Sequence, residues 1–200
     1  VDNNIQGLYN LIDVAKKYKV KKIIYASSSS IYGDSKKFPL KETHEVKPKN
    51  IYALSKKINE EMAEVFSGQY NISFIGLRFF TVYGEWGRPD MFLMKYLNSS
   101  YDKKLKFFLN NYGKHTRDFT YITDVSKIIS KIVFSKKKLK HEIFNVCSNK
   151  PQKLTKIIGK INFFTQKKPK LFKRKLQQAD VVKTHGANKK IKSFIGNQNF

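Results

Sequence analysis

The strongest constraint on the fold is a short β-rich apolar run, Lys21 to Ala26, that breaks into four serines, Ser27 to Ser30. A lysine- and proline-bearing loop follows, then a helical stretch from about Ile51 to Tyr70 and a second apolar run, Ile72 to Phe80. Runs of that length without alternation read as strands buried on both faces, the signature of a parallel sheet. Strand, helix and strand make a βαβ unit, for which a right-handed crossover is expected. Ligands of such sheets bind outside the carboxyl ends of the strands. That rule puts Ser28, Ser30, Phe80 and Thr81 on one rim, with the helix of Ile51 to Tyr70 beside it.

This helix carries Tyr52 and Lys56. Residues four apart share a helical face about 6 Å apart along the axis, so the ammonium can favour ionisation of the phenol. A phenol titrates near pH 10 when unperturbed, and a neighbouring cation brings it towards proton transfer at neutral pH. Spacing alone favours the plainer reading, a half-buried tyrosine beside a solvated lysine on a Lys-rich helix.

Ahead of the first strand, apolar residues at 5, 8, 11, 12 and 15 form a helical stripe across Asn3 to Tyr18. This helix is already under way at Val1, so the chain is expected to be a piece of a longer protein. Beyond Gly84 the pattern predicts a helix near Asp90 to Leu97, strands near Leu105 to Leu109 and Thr116 to Ile122, and a helix from Thr123 to Ser135. A strand at Glu142 to Cys147 and a helix from Leu154 to Thr165 follow. The fold class expected is α/β: the C-terminal part of a Rossmann-like doubly wound parallel sheet over residues 1–84, with a smaller mixed α/β substrate region over 85–200. Some strands of the second part are expected to return to the main sheet.

With 40% hydrophobic residues, 200 residues can bury one sizeable core. A net charge of +25 raises nucleic-acid binding as a possibility, but 36 of the 40 basic residues are Lys, spread along the chain, and no nucleic-acid signature accompanies them. No nucleic-acid partner is expected. No apolar run approaches the roughly 18 residues of a membrane helix, so no membrane role is expected and a cytoplasmic location is the simplest reading. Cys147, the single cysteine, sits in an apolar run and reads as a small core residue. His44, His115, His141 and His185 have no ligand spacing, so loop or surface positions and no metal are expected. Arg78, Arg88 and Arg117 offer planar forks for phosphate or carboxylate. For Arg78, which follows an apolar run, a structural ion pair is at least as good a reading as ligand contact.

Four blocks in one order carry a resemblance: SSSSIYG at 27–33, Tyr52 with Lys56, LRFFTVYG at 77–84 and RDFTYI at 117–122. Together they resemble the extended short-chain dehydrogenase/reductase family of nucleotide-sugar epimerases and dehydratases. Asp180 to Thr184 resembles that family's late nucleotide-contacting segment, and Phe79 to Met91 is similar to the signature of its UDP-glucuronate 4-epimerases. Dehydratases of the family carry an Asp-Glu pair where this chain has Ser29 and Ser30, which favours epimerisation over elimination.

The resemblance implies NAD as cofactor and a UDP-sugar as substrate. Tyr52 would be the base, Lys56 would bond the nicotinamide ribose, and Ser28, with Ser30 second, would bond the sugar 4-hydroxyl. It implies Asn4 and Phe80, with Tyr52 and Lys56, in the cofactor site. Thr81 and Arg88 would hold the sugar, and Arg117 and Asp180 the nucleotide. A homodimer is implied for the full-length protein. Gln178-Ala179 stands where the family has Pro-Gly, and Gly186-Ala187-Asn188 replaces its Ala-Asp pattern. The family's Gly-rich fingerprint and roughly two or three βα units lie outside this chain, so the chain by itself is expected to bind NAD poorly and to be inactive. A UDP-glucose/galactose 4-epimerase, a related dehydratase and a non-catalytic basic or interaction protein are the alternatives.

Overall fold

The structure, a computed structural model, describes residues 2–178 and 180–196; Val1 and Ala179 therefore lie outside the described residues. A π-helical turn, Asp2–Gln6, leads into α1, Gly7–Lys17. The strand expected next is β1, Lys22–Ser28, and a 3-10 turn over Ser29–Tyr32 follows directly. Then come α2 (Ile51–Gln69), β2 (Ser73–Phe79), β3 (Thr81–Tyr83) and α3 (Phe92–Tyr101). The remaining elements are β4 (Phe107–Leu109), β5 (Thr116–Tyr121), α4 (Ile122–Phe134), β6 (His141–Val146), β7 (Pro151–Lys153), α5 (Leu154–Thr165), β8 (Leu171–Lys173) and α6 (Lys189–Ile195).

The main sheet has the order β1-β2-β6, with both pairings parallel. Its central strand β2 is buried from Phe74 to Arg78, which explains its unbroken apolar run. Leu8, Ile12 and Ala15 of α1 and Ala63 of α2 pack with Ile23, Tyr25 and Phe74 on one side. On the other, Val125, Ile128 and Ile132 of α4 and Ile191 of α6 pack with Ile75, Leu77, Phe144 and Val146. Helices on both faces of a parallel sheet make the doubly wound architecture that the sequence predicts. Burying β2 from both sides excludes water from its backbone, so its hydrogen bonds must be made to β1 and β6.

Two small sheets complete the fold. In one, β3 runs parallel to β5 and β5 antiparallel to β7; in the other, β4 pairs with β8. β3, β7, β8 and α6 lie outside the elements that the sequence predicts. Three-residue strands carry too little periodicity to announce themselves. Among the described residues no helix is long and apolar enough to cross a membrane.

Candidate active site

In the parallel register Ser28 is the partner of Phe79. The serine cluster and Phe80-Thr81 therefore emerge at the same carboxyl rim, as expected from the crossover. Ser28 ends β1 in an extended conformation, and its Oγ accepts from the Ser30 amide at 3.2 Å and the Ser30 hydroxyl at 2.9 Å. The serines thus cap a turn, and Ser30 orients Ser28.

Helix α2 begins where the Asn50 side chain accepts from the Ala53 amide at 2.8 Å, satisfying one of the donors orphaned at a helix start. That cap puts Tyr52 in the first turn, where it is 52% exposed and thus accessible to a ligand. Its hydroxyl makes no hydrogen bond with a described residue. Lys56 lies one turn on, 5.9 Å from the Tyr52 ring centroid, and donates to the Ala26 carbonyl at 3.0 Å. Burial lowers its pKa from the ordinary lysine value. One Lys56 proton goes to Ala26, leaving two for a ligand. An unengaged phenol and a partly engaged ammonium on one rim fit a ribose and a reacting hydroxyl.

Asn4, in the π-helical turn, donates to Ser55 Oγ at 2.9 Å, and Ser55 donates to the Tyr52 carbonyl at 2.8 Å. Its amide is thus engaged with the helix that carries the tyrosine. Phe80 is buried with Ile31, Tyr32, Leu40 and Cys147. Its ring belongs to the core, its amide donates to the Val146 carbonyl and its own carbonyl accepts from Val82. Thr81 opens β3 opposite Phe119 and is half-buried. Arg88, in the exposed loop after β3, bonds Asp90 through Nε at 3.0 Å and through a terminal nitrogen at 2.5 Å. Those bonds raise its pKa, and it lies within electrostatic reach of Tyr52.

Arg117 and Asp180 form a separate group. Arg117 donates to the Thr116 and Val182 carbonyls, both at 3.1 Å, while the Asn110 amide donates to Asp180 at 3.3 Å. Burial lowers the Arg117 pKa and the Asp180 charge opposes that effect. No hydrogen bond among the described residues joins this group to Tyr52.

Arg78 is a structural ion pair, one of the two readings its sequence context allowed. It grips both Glu60 oxygens, at 2.9 and 2.7 Å, and donates to the Tyr32 hydroxyl at 2.8 Å. The sequence reading missed Glu60. Its signal was a carboxylate one turn beyond Lys56, together with a lone arginine in a buried strand. His44 and His185 lie in loops as expected, whereas His115, also in a loop, is buried and His141 opens β6. His115 is 4% exposed, His141 bonds the Tyr25 hydroxyl at 3.1 Å and His185 bonds Asn149 at 2.6 Å. Burial lowers the pKa of all three. Cys147 is in the core as expected, its thiol pushed up by burial.

A phenol and an ammonium on one helical face, set at the carboxyl rim of a doubly wound parallel sheet whose first strand ends in Ser28, make the arrangement that the sequence predicts for an acid/base site. The comparisons carry this one step further. The chain belongs to the NAD dependent epimerase/dehydratase family, whose pattern it matches over residues 1–147. It is 41% identical over 198 residues to an uncharacterised protein of Methanocaldococcus jannaschii, covering 98% of this chain and 60% of that one. It is 43% identical over 133 residues to UDP-glucuronate 4-epimerase 4 of Arabidopsis thaliana, covering 64% of this chain and 30% of the relative. UDP-glucuronic acid 4-epimerase from Bacillus cereus, solved with UDP-glucuronic acid and NAD, superposes with a TM-score of 0.92 at 27% identity, covering 100% of this chain and 63% of that one. The chain spans about three-fifths of the length of the first curated relatives it matches.

Proposed function

We propose that the chain forms the acid/base and sugar-holding part of a nucleotide-sugar 4-epimerase acting on UDP-glucuronate. The observation that carries this reading is the Tyr52 phenol, without a hydrogen bond among the described residues, one turn from a Lys56 fixed to the strand that ends in Ser28. Tyr52 as phenolate takes the proton of the sugar 4-hydroxyl and later returns it. Lys56 favours the phenolate and holds the nicotinamide ribose with its remaining protons. Ser28, oriented by Ser30, holds the 4-hydroxyl. Bound NAD supplies hydride acceptance and return at C4, so the reaction has no net redox change.

Asn4 supports this site through Ser55, and Phe80 lines it from the core side. Thr81 holds the sugar beside Arg88, whose guanidinium matches the hexuronate carboxylate. Arg117 and Asp180 hold the nucleotide, the arginine on the diphosphate. The absence of an Asp-Glu pair at Ser29 and Ser30 leaves no acid/base groups there for eliminating water. A homodimer belongs to the same reading, with exposed Tyr9 and Val14 of α1 and Val65 of α2 as apolar surface for it.

The test uses the full-length protein with UDP-glucuronate, followed by proton NMR for the 4-epimer. Turnover in wild type and its loss in Tyr52→Phe are expected. Equal rates in the two proteins refute Tyr52 as the base, and no turnover in wild type refutes the reading.

A further inference from the structure

Tyr52, Lys56 and Glu60 follow one another at intervals of four along α2, so they form one stripe on that helix. The first two face the rim; the third is 5% exposed and lies beneath it. Glu60 Oε1 accepts from the Ser27 hydroxyl at 2.5 Å and from Arg78 Nε at 2.9 Å, while Oε2 accepts from a terminal Arg78 nitrogen at 2.7 Å. Arg78 is itself 4% exposed. Its other terminal nitrogen donates to the Tyr32 hydroxyl at 2.8 Å, and Tyr32 donates to Asn145 at 2.8 Å. One buried chain of bonds therefore joins β1, α2, β2, the turn after Ser30 and β6.

A buried ion pair is a poor way to gain stability. Desolvating both charges costs about as much as their attraction returns, and apolar residues of similar volume hold a helix to a sheet at least as well. What a two-pronged arginine–carboxylate contact adds is direction. Sliding α2 by one residue moves it about 1.5 Å along its axis and turns it about 100°, which breaks both prongs and the Ser27 bond together. An apolar contact tolerates a partial slide. Ser27 adjoins Ser28, and Glu60 is one turn from Lys56 and two from Tyr52, so the bond between Ser27 and Glu60 connects the two halves of the acid/base group.

We propose that Glu60 is a positioning residue: held by Ser27 and Arg78, it fixes the axial and rotational register of α2 against β1, and so the placement of Tyr52 and Lys56 against Ser28. The proposal rests on reading this site as the acid/base centre of an epimerase. Arg88 and Arg117, assigned to the sugar and nucleotide, lie outside α2, so disturbing the register should slow turnover while leaving substrate affinity in place.

The test compares Ser27→Ala and Glu60→Gln with wild type in the full-length protein, using UDP-glucuronate. Ile132→Val, in α4 on the opposite face of the sheet, serves as a destabilised control. A misplacement of about 1 Å can cost about a hundredfold in rate. Glu60→Gln is expected to lower kcat by roughly ten- to a hundredfold, with KM within about twofold of wild type. Ser27→Ala, which removes one hydroxyl and so should fold, is expected to lower kcat by several-fold in the same manner. Ile132→Val is expected to lower thermal stability and leave kcat unchanged. The proposal is overturned if Ser27→Ala keeps wild-type kcat, or if the losses appear in KM instead. Absence of turnover in wild type sinks the epimerase reading and this inference with it, whereas turnover that ignores Ser27 and Glu60 sinks only the inference.

Discussion

Two glycine-to-alanine substitutions should move stability in opposite directions. At Gly186 a Cβ would lie 2.5 Å from the Cys147 sulfur and 2.5 Å from Phe80 Cζ. The segment cannot easily retreat. The Gly186 amide donates to Asp118 at 3.0 Å, and the flanking residues bond Leu40 through the His185 carbonyl at 2.7 Å and the Ala187 amide at 2.8 Å. Relief must come from the buried Phe80 ring or the Cys147 side chain, so overpacking should cost about 1–3 kcal/mol. At Gly159, inside α5, a Cβ meets nothing within 4 Å, and alanine should gain about 0.5–1 kcal/mol from helix propensity. Urea denaturation of the full-length protein measures both, read at constant slope so that the midpoint reports stability. The two variants should differ by about 1.5–4 kcal/mol. Adding Cys147→Ala to Gly186→Ala removes one of the two clashing groups, so the double variant should cost less than the sum of its parts. A Gly186→Ala protein as stable as wild type, or strict additivity with Cys147→Ala, would refute the claim that this crossing is tight.

Other perturbations test the site and the scaffold. Arg88→Ala should raise KM for UDP-glucuronate at least about tenfold, while leaving the thermal midpoint in place because the side chain is exposed; unchanged KM removes Arg88 from the carboxylate. Lys22 donates to the Ile132, Val133 and Ser135 carbonyls at the end of α4, at 3.0, 3.2 and 2.8 Å. Lys22→Met should therefore cost about 1 kcal/mol in urea denaturation, and a neutral result denies the cap. His115, His141 and His185 have folded pKa values below the ordinary 6.5. Their contribution to stability is thus fully present above that value and lost as pH falls through it towards the folded pKa. Urea midpoints should decrease as pH falls from 7.5 to 5.5, and a flat profile counts against lowered pKa values at these three positions.

The parts of the fold legible in the sequence were those whose burial leaves a period. The runs ending at Ser28 and Phe79 are apolar because β1 and β2 lie within a covered sheet, and the stripe of α1 reflects one buried face. Tyr52 and Lys56 stood out for a related reason: residues four apart share one helical face, and the structure puts them one turn apart on α2. The π-helical turn at Asp2–Gln6 was hidden because its wider repeat does not interrupt the apolar pattern, although it carries Asn4 to Ser55. Glu60 was hidden differently. In a chain with 28% charged residues a glutamate on a Lys-rich helix looks solvated, and the neighbouring Lys57–Glu61 pair is indeed an exposed contact at 3.4 Å. Only the partner strand tells the two apart. Arg78 stands inside a run otherwise buried and apolar, and a guanidinium there must find a carboxylate within reach. On α2, Glu60 meets that demand because it shares the inward side of the helix with Ala53, Asn59 and Ala63. The Tyr52–Lys56 spacing and the carboxylate beneath it are thus legible at different levels: the first is local to a helix, and the second requires the sheet on which that helix lies.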